Sequence, residues 1–225
     1  MTAHIVWDWN GTLLDDFEIS VEAASVACLK VGGSPVGHDD YRRCFTRPVR
    51  AFYERLLGGV LSDEQWHTIV ETYHDSYRRS LPRARLRPRT AELLAELSES
   101  GVTHSLLSMG EHEEVTEVVA RLGIAESFLA IEGMHRRVRT ETKRQALERH
   151  LARLGGVRAQ PVRVERVVMI GDTLDDSEAA SAAGVACVLL GDGSFDRSAA
   201  ERLGLAVAPG IAAAVERGLR MIADR

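Results

Sequence analysis

Apolar and polar positions along this chain follow two different periods, and the switch between them divides it. Ile5, Val6 and Trp7 form a short apolar run that ends in Asp8 and a Gly-containing stretch, Asn10-Gly11-Thr12. A run of that length bounded by a turn reads as a buried strand that delivers Asp8 to its C-terminal end. Val167–Ile170 repeats the arrangement ahead of Gly171-Asp172-Thr173-Leu174-Asp175-Asp176 and an Ala-rich helix. From Pro88 onward strands and helices alternate. Helix Thr90–Ser100, strand Thr103–Leu107, helix Glu111–Leu122 and a short strand Phe128–Ile131 come first. An Arg-rich loop, His135–Arg139, leads to a helix from about Thr142 to Leu154 that stops at Gly155-Gly156. Strand Arg166–Ile170, helix Asp175–Ala183, strand Val185–Leu190, a last short edge strand at Leu205–Ala208 and helix Ile211–Ile222 complete the series. Such alternation predicts an α/β class with a parallel sheet.

Residues 16–86 follow the helical period instead. Glu18–Val31 places Ile19, Ala23, Val26 and Ala27 on one face and stops at Gly32-Gly33. Asp39–Phe45 and Pro48–Leu57 read as two helical pieces separated at Pro48. Ser62-Asp63-Glu64-Gln65 is a capping-box pattern opening a helix to about Ser80, after which Leu81-Pro82 and Arg87-Pro88 punctuate the chain. The expected division is a core of 1–15 and 87–225 and an all-helical insert of 16–86 with no strand.

Composition narrows the function classes. At 225 residues and 45% apolar content the chain can fill one core and a smaller second one. It has no bilayer-length apolar run and no signal pattern, so the expectation is a soluble cytoplasmic protein without a membrane partner, monomer or homodimer. A net charge of −5 argues against a nucleic-acid partner. Cys28, Cys44 and Cys187 are scattered and odd in number, which suits reduced structural thiols.

Two strands that each end in acids can bring Asp8 and Asp172 to one point, and oxygen clusters of that kind suit Mg²⁺. Gly11 lets the backbone approach a ligand closely, and Thr12 offers a hydroxyl and an N–H to an anion. Ser108 follows the apolar Leu106-Leu107, and Lys143 stands at the head of a helix. In this order the residues resemble the haloacid dehalogenase (HAD) superfamily, nearest to its phosphoglycolate-phosphatase-like members. The four motifs match as Asp8–Thr12, Ser108, Lys143 and Gly171–Asp176, and the resemblance covers nearly the whole chain. Of 28 basic residues only Lys30 and Lys143 are Lys, so Lys falls where the motif needs a compact ammonium.

The resemblance implies a Rossmann-like core with an inserted helical cap, acting as a Mg²⁺-dependent phosphohydrolase on a small phosphorylated metabolite. Asp8 would be the nucleophile, forming an aspartyl-phosphate. Asp8, Asp172 and the backbone carbonyl of Asn10 would hold Mg²⁺, with Asp176 holding a metal-bound water or Lys143. Ser108 and the N–H groups near Met109 and Gly110 would donate to phosphate oxygens, and Lys143 would add positive charge. Ser108 also reads as an ordinary helix N-cap and Asp175 as simple stabilisation of a helix N-terminus. Arg42, Arg43, Arg47 and Arg50 could bind a second anionic group, Arg47 being the favoured one, or could form a solvated face.

One position departs from the pattern. The family has Asp two residues after the nucleophile to protonate the leaving group; here it is Asn10, which has no proton of suitable pKa to transfer. Three readings stay open: a phosphatase of reduced rate or one suited to good leaving groups, a binding or regulatory protein without turnover, or a site whose acid comes from elsewhere. On the first, Asn10→Asp should raise turnover of alkyl phosphates. Dehalogenation, phosphonate cleavage and a signalling receiver domain fit less well: the first motif lacks Tyr, Lys30 sits near a helix end, and a receiver would be about half this length.

Overall fold

The computed structural model describes residues 3–135, 141–157 and 163–223. The chain opens with β1 (His4–Trp7) and a two-residue β2 (Leu14–Asp15). Four helices follow: α1 (Phe17–Lys30), α2 (His38–Cys44), α3 (Val49–Leu57) and α4 (Asp63–Ser80). The chain returns through β3 (Arg85–Leu86), α5 (Thr90–Glu99), β4 (Thr103–Glu111), α6 (His112–Arg121), β5 (Ile131–Met134) and α7 (Lys143–Val157). It ends with β6 (Val167–Gly171), α8 (Leu174–Ala182), β7 (Ala186–Leu190), α9 (Arg197–Arg202), β8 (Val207–Ala208) and α10 (Ile211–Ala223).

Six strands form one sheet in the order β5-β4-β1-β6-β7-β8, and every pairing is parallel. The sheet is covered on both faces, which is why its central strands are apolar at consecutive positions. Ile5, Trp7, Val168 and Ile170 join a layer with Leu94 of α5 and Ile211, Ala214 and Val215 of α10. Val6, Val167 and Met169 point the other way, onto Ala146 and Leu147 of α7 and Ala179 and Ala180 of α8. β1 lies between β4 and β6, so the strand order reverses there, and the crevice beyond its C-terminal end is where such sheets bind ligands.

Helices α1–α4 form a cap with its own core, including Phe17, Val21, Ala24, Tyr41, Phe52, Tyr53 and Ile69. The capping box read at Ser62 is present: Gln65 N–H donates to Ser62 Oγ and Ser62 N–H to Gln65 Oε1, both at 3.1 Å. The Rossmann-like core with its helical cap is therefore as the sequence implies.

Several elements differ in detail. The stretch read as all-helical carries a strand, β3, whose Leu86 and Arg85 pair antiparallel with Leu14 and Asp15 of β2. Two-residue strands show no alternation, so nothing in the pattern announces them. The strand read at Phe128–Ile131 lies at Ile131–Met134, shifted because a buried glutamate, Glu132, stands inside it. α7 runs through Gly155-Gly156 to Val157 instead of stopping there, α9 had no apolar signal, and the Arg-rich loop after His135 lies outside the described residues.

Glu132 is tolerated because α7 brings cations to it. Arg149 and Arg153 form ion pairs with it, the latter at 3.1 Å, and His150 Nδ1 faces it at 3.5 Å. His150 Nε2 meets Ser105 Oγ at 2.8 Å, and that hydroxyl meets His4 Nε2 at 2.8 Å. A buried polar chain thus links β1, β4 and β5 to α7, the helix that carries Lys143. Burial alone would raise the Glu132 carboxyl, but hydrogen bonding and charge from His150 and Arg149 pull it down to about 2 from an ordinary 4.5. A depressed folded-state pKa gives stability that is complete above about 4.5 and lost as the pH falls toward 2. Removing one partner of a fully buried pair costs about 3–5 kcal/mol, but Arg149 and Arg153 are partly exposed and can rehydrate. Glu132→Gln should therefore cost about 1–3 kcal/mol in urea unfolding at neutral pH, and the gap to wild type should close as the pH is lowered through this window. A gap independent of pH would contradict the assignment.

Candidate active site

The register of the sheet brings the acids together. Trp7 stands opposite Leu106 of β4 and Ile170 of β6, so Asp8, Ser108 and Asp172 emerge at one edge. Asp8 N–H continues the ladder by donating to Ile170 O at 2.9 Å. Asp8, Asp172 and Asp176 are all buried, and each offers an oxygen within 4.8 Å of the others. Lys143, the first residue of α7, reaches into this cluster. Its ammonium contacts Asp8 Oδ1 and lies 2.7 Å from Asp176 Oδ1.

Local backbone chemistry sets the loops. Gly11 has φ +71°, and a Cβ there would meet Asp172 Oδ2 at 2.3 Å, so only glycine lets the first loop lie against the second. Asp176 Oδ2 accepts from the N–H groups of Asp172 and Thr173, at 3.2 and 2.9 Å, and from Thr173 Oγ1 at 2.7 Å. Thr173 Oγ1 accepts in turn from Asp176 N–H at 3.3 Å, a capping box that opens α8. With one oxygen tied to this loop and the other on Lys143, Asp176 has the geometry of a residue that holds Lys143.

Three buried carboxylates cluster beside one ammonium, which pairs with Asp8 and Asp176. Burial raises Asp8 to about 6, against the pull of Lys143 and with the push of Asp176. Burial likewise raises Asp172, and the charge on Asp8 adds to it. Burial would raise Asp176 too, but Lys143 and the Thr173 hydrogen bonds hold it below the usual carboxylate range. Burial would lower Lys143; Asp176 and Asp8 push it above the ordinary lysine value. Among the described residues the Asp172 carboxylate accepts only from Ser194 N–H, at 3.2 Å. The cluster lacks positive charge, and an all-oxygen donor set of this size fits a hard divalent cation.

Asn10 is held away from proton chemistry. Its Nδ2 donates to Asp16 Oδ2 at 2.8 Å and lies 2.7 Å from Tyr77 Oη. Tyr77 Oη donates to the same Asp16 oxygen at 2.6 Å, and Gly11 N–H donates to Asp16 Oδ1 at 2.7 Å. Because Asp16 Oδ2 can only accept, the amide is oriented with Oδ1 toward Ser108 Oγ, 3.4 Å away. An aspartate at position 10 would set two carboxylates against each other, which the sequence alone does not reveal.

The remaining expected residues are placed as follows. Ser108, Met109, Gly110, Lys143 and Arg47 line one cavity with Asp8, Asn10 and Asp172. Gly110 N–H donates to Ser108 Oγ at 3.0 Å. Thr12 is fully buried behind Asp8: its N–H donates to Trp9 O at 3.1 Å and its hydroxyl lies 3.4 Å from Asp8 Oδ2. Arg47 pairs with Asp175 at 3.1 Å. Arg42 donates to the carbonyls of Gly193 and Asp192, Arg43 pairs with Asp40, and Arg50 with Glu54 and Asp63. Sequence reasoning missed Asp16, Tyr77 and Ser194. Asp16 was visible as an acid beside the first motif; Tyr77 and Ser194 carried no signal.

Phosphoglycolate phosphatase of Synechococcus elongatus is 27% identical over 193 residues, covering 86% of this chain and 85% of its own. A predicted phosphatase from Clostridium acetobutylicum superposes with a TM-score of 0.80 at 14% identity, over 100% of both chains. Protein tyrosine kinase A of Mycobacterium tuberculosis superposes with a TM-score of 0.75 at 24% identity, over 96% of this chain and 97% of that one. One fold thus carries differently named activities, and the site has to decide between them. The model of the haloacid dehalogenase-like hydrolases matches residues 5–190, a span that holds Asp8, Ser108, Lys143 and Asp172 in the order and place just described, and this chain belongs to that family.

Proposed function

We propose that this protein hydrolyses a phosphoric monoester of a small metabolite through an aspartyl-phosphate on Asp8. The observation that carries the reading is the buried Asp8 carboxylate, held by Lys143 and facing Asp172 at the floor of the cavity. Residues 1–15 and 87–225 would form the core domain and 16–86 the cap. Mg²⁺ held by Asp8, Asp172 and the backbone carbonyl of Asn10 would supply positive charge beside the phosphoryl oxygens.

Asp8 attacks phosphorus in line with the ester oxygen; the O–P bond to Asp8 forms as the ester P–O bond breaks, and its electron pair leaves on the ester oxygen. Lys143 offsets charge on Asp8 and the phosphoryl group, and the Ser108 hydroxyl donates to a phosphoryl oxygen. Water then attacks the phosphorus of the aspartyl-phosphate: its O–P bond forms as the bond to Asp8 breaks, the Asp8 carboxylate is restored, and the water proton passes to a phosphoryl oxygen. Asn10 can orient that water through Oδ1 but can neither take its proton nor give one to the leaving group. The chain therefore suits substrates whose leaving group is already acidic, an acyl or aryl phosphate above an alkyl one. The locking of Asn10 by Asp16 and Tyr77 also favours a second reading, a site that binds phosphate without turnover.

A phosphatase screen with and without Mg²⁺ separates these. Acetyl phosphate should be hydrolysed with Mg²⁺, and both EDTA and Asp8→Asn should take the rate below detection. Activity that survives both treatments would sink the mechanism.

Position 10 gives a sharper test. Asn10→Asp alone creates a carboxylate pair with Asp16 and should leave alkyl-phosphate turnover flat or lower. Exchanging the pair, Asn10→Asp with Asp16→Asn, keeps one buried charge and restores a titratable group beside the leaving oxygen. General acids contribute roughly 10²–10⁴-fold, so the double variant should hydrolyse an alkyl phosphate at least about tenfold faster than either single variant. A single variant that matches the double would mean that Asp16 does not constrain position 10.

A further inference from the structure

The cavity above Asp8 has a volume of about 1030 Å³, at the top of the roughly 300–1,000 Å³ usual for small-molecule sites. A two-carbon acid such as glycolate would leave most of it empty. Its cap side is aromatic. Phe45, Trp66 and Tyr73 are half-buried along its wall, backed by Tyr41, Phe52 and Tyr53. The rings form a contact chain: Tyr41–Phe45 stacked at 5.6 Å, Phe45–Phe52 edge-on at 5.4 Å, Phe52–Tyr53 at 5.0 Å and Tyr53–Trp66 at 6.2 Å. Tyr53 also lines the cavity, and its hydroxyl is buried with no hydrogen-bond partner among the described residues.

The charge of the wall points the same way. Among the described residues it carries nine carboxylates against two arginines and one lysine. Each cation is already engaged: Arg47 with Asp175, Arg78 with Glu111 and Glu114, Lys143 with Asp8 and Asp176. On the cap side Glu71 and Asp75 add negative charge. Lys143 and a metal at Asp8 and Asp172 would serve the phosphoryl group itself, which leaves no arginine or lysine among the described wall residues to offset a second anion.

We propose that the substrate is a phosphate ester with an aromatic body free of negative charge, seated against Phe45, Trp66 and Tyr73. The proposal rests on the phosphoryl-transfer reading for its phosphate end only. It agrees with the demand that Asn10 makes for an acidic leaving group, and it separates this chain from enzymes for short phosphorylated carboxylates.

Two non-hydrolysable probes test it by calorimetry on the full chain with Mg²⁺: naphthylmethylphosphonate and phosphonoacetate. The aromatic probe should bind at least about tenfold tighter, and Trp66→Leu should cut that ratio by about threefold or more. Phe45→Leu gives the same reading should the Trp66 variant fail to fold. Equal or tighter binding of phosphonoacetate, binding of neither probe, or a ratio that both variants leave unchanged would overturn the proposal. Acetyl phosphate turnover, followed in parallel, reports on hydrolysis alone. Turnover without aromatic preference refutes the substrate class, and aromatic preference without turnover refutes only the catalytic reading.

Discussion

Three carboxylates buried around a single ammonium is the arrangement on which the rest of this structure depends. Uncompensated charge is costly in a low-dielectric interior, so such a cluster forms only where the surrounding fold holds every member in place. Here the parallel ladder fixes Asp8 and Asp172, the Thr173 capping box fixes Asp176, and α7 delivers Lys143. α7 is itself tied to the sheet by the buried line from Glu132 through His150 and Ser105 to His4. The deficit of positive charge that remains is one that a hard divalent cation would offset.

The parts of this arrangement legible in the sequence are those that an apolar run announces. Ile5–Trp7 before Asp8, and Val167–Ile170 before Asp172, are hydrophobic because both faces of the strand are covered, and such strands end at the ligand crevice. Lys143 stood out because the chain otherwise uses arginine almost throughout. What could not be read depends on tertiary partners. Glu132 hides β5 because its charge is answered only by residues of α7. The β2–β3 ribbon pairs four residues some seventy positions apart and has no local pattern. Asp16 and Tyr77 meet Asn10 only once α1 and α4 have packed over the core.

The same dependence governs the cap. From the sequence, Arg42, Arg43, Arg47 and Arg50 read either as readers of a second anion or as a solvated face. In the structure Arg42 and Arg47 reach core residues, Gly193 and Asp175, and a further cap arginine, Arg78, reaches Glu111 and Glu114. They join the cap to the core beside the cavity. Asn10 belongs to this fastening as well, because its amide joins the first loop to α4 through Tyr77. An amide at position 10 suits the carboxylate of Asp16 beside it, since a buried pair of this kind carries one negative charge comfortably and two only with a shared proton.

The central claim is that Asp8 is the group that takes the phosphoryl. With no base at position 10 to activate water, the second half of the reaction should lag the first, so the covalent intermediate should accumulate. Rapid acid quenching of the wild-type protein turning over radiolabelled acetyl phosphate with Mg²⁺, followed by peptide mapping, measures this directly. The account predicts a hydroxylamine-sensitive label on the peptide that contains Asp8, and steady turnover with no phosphate on Asp8 would contradict it.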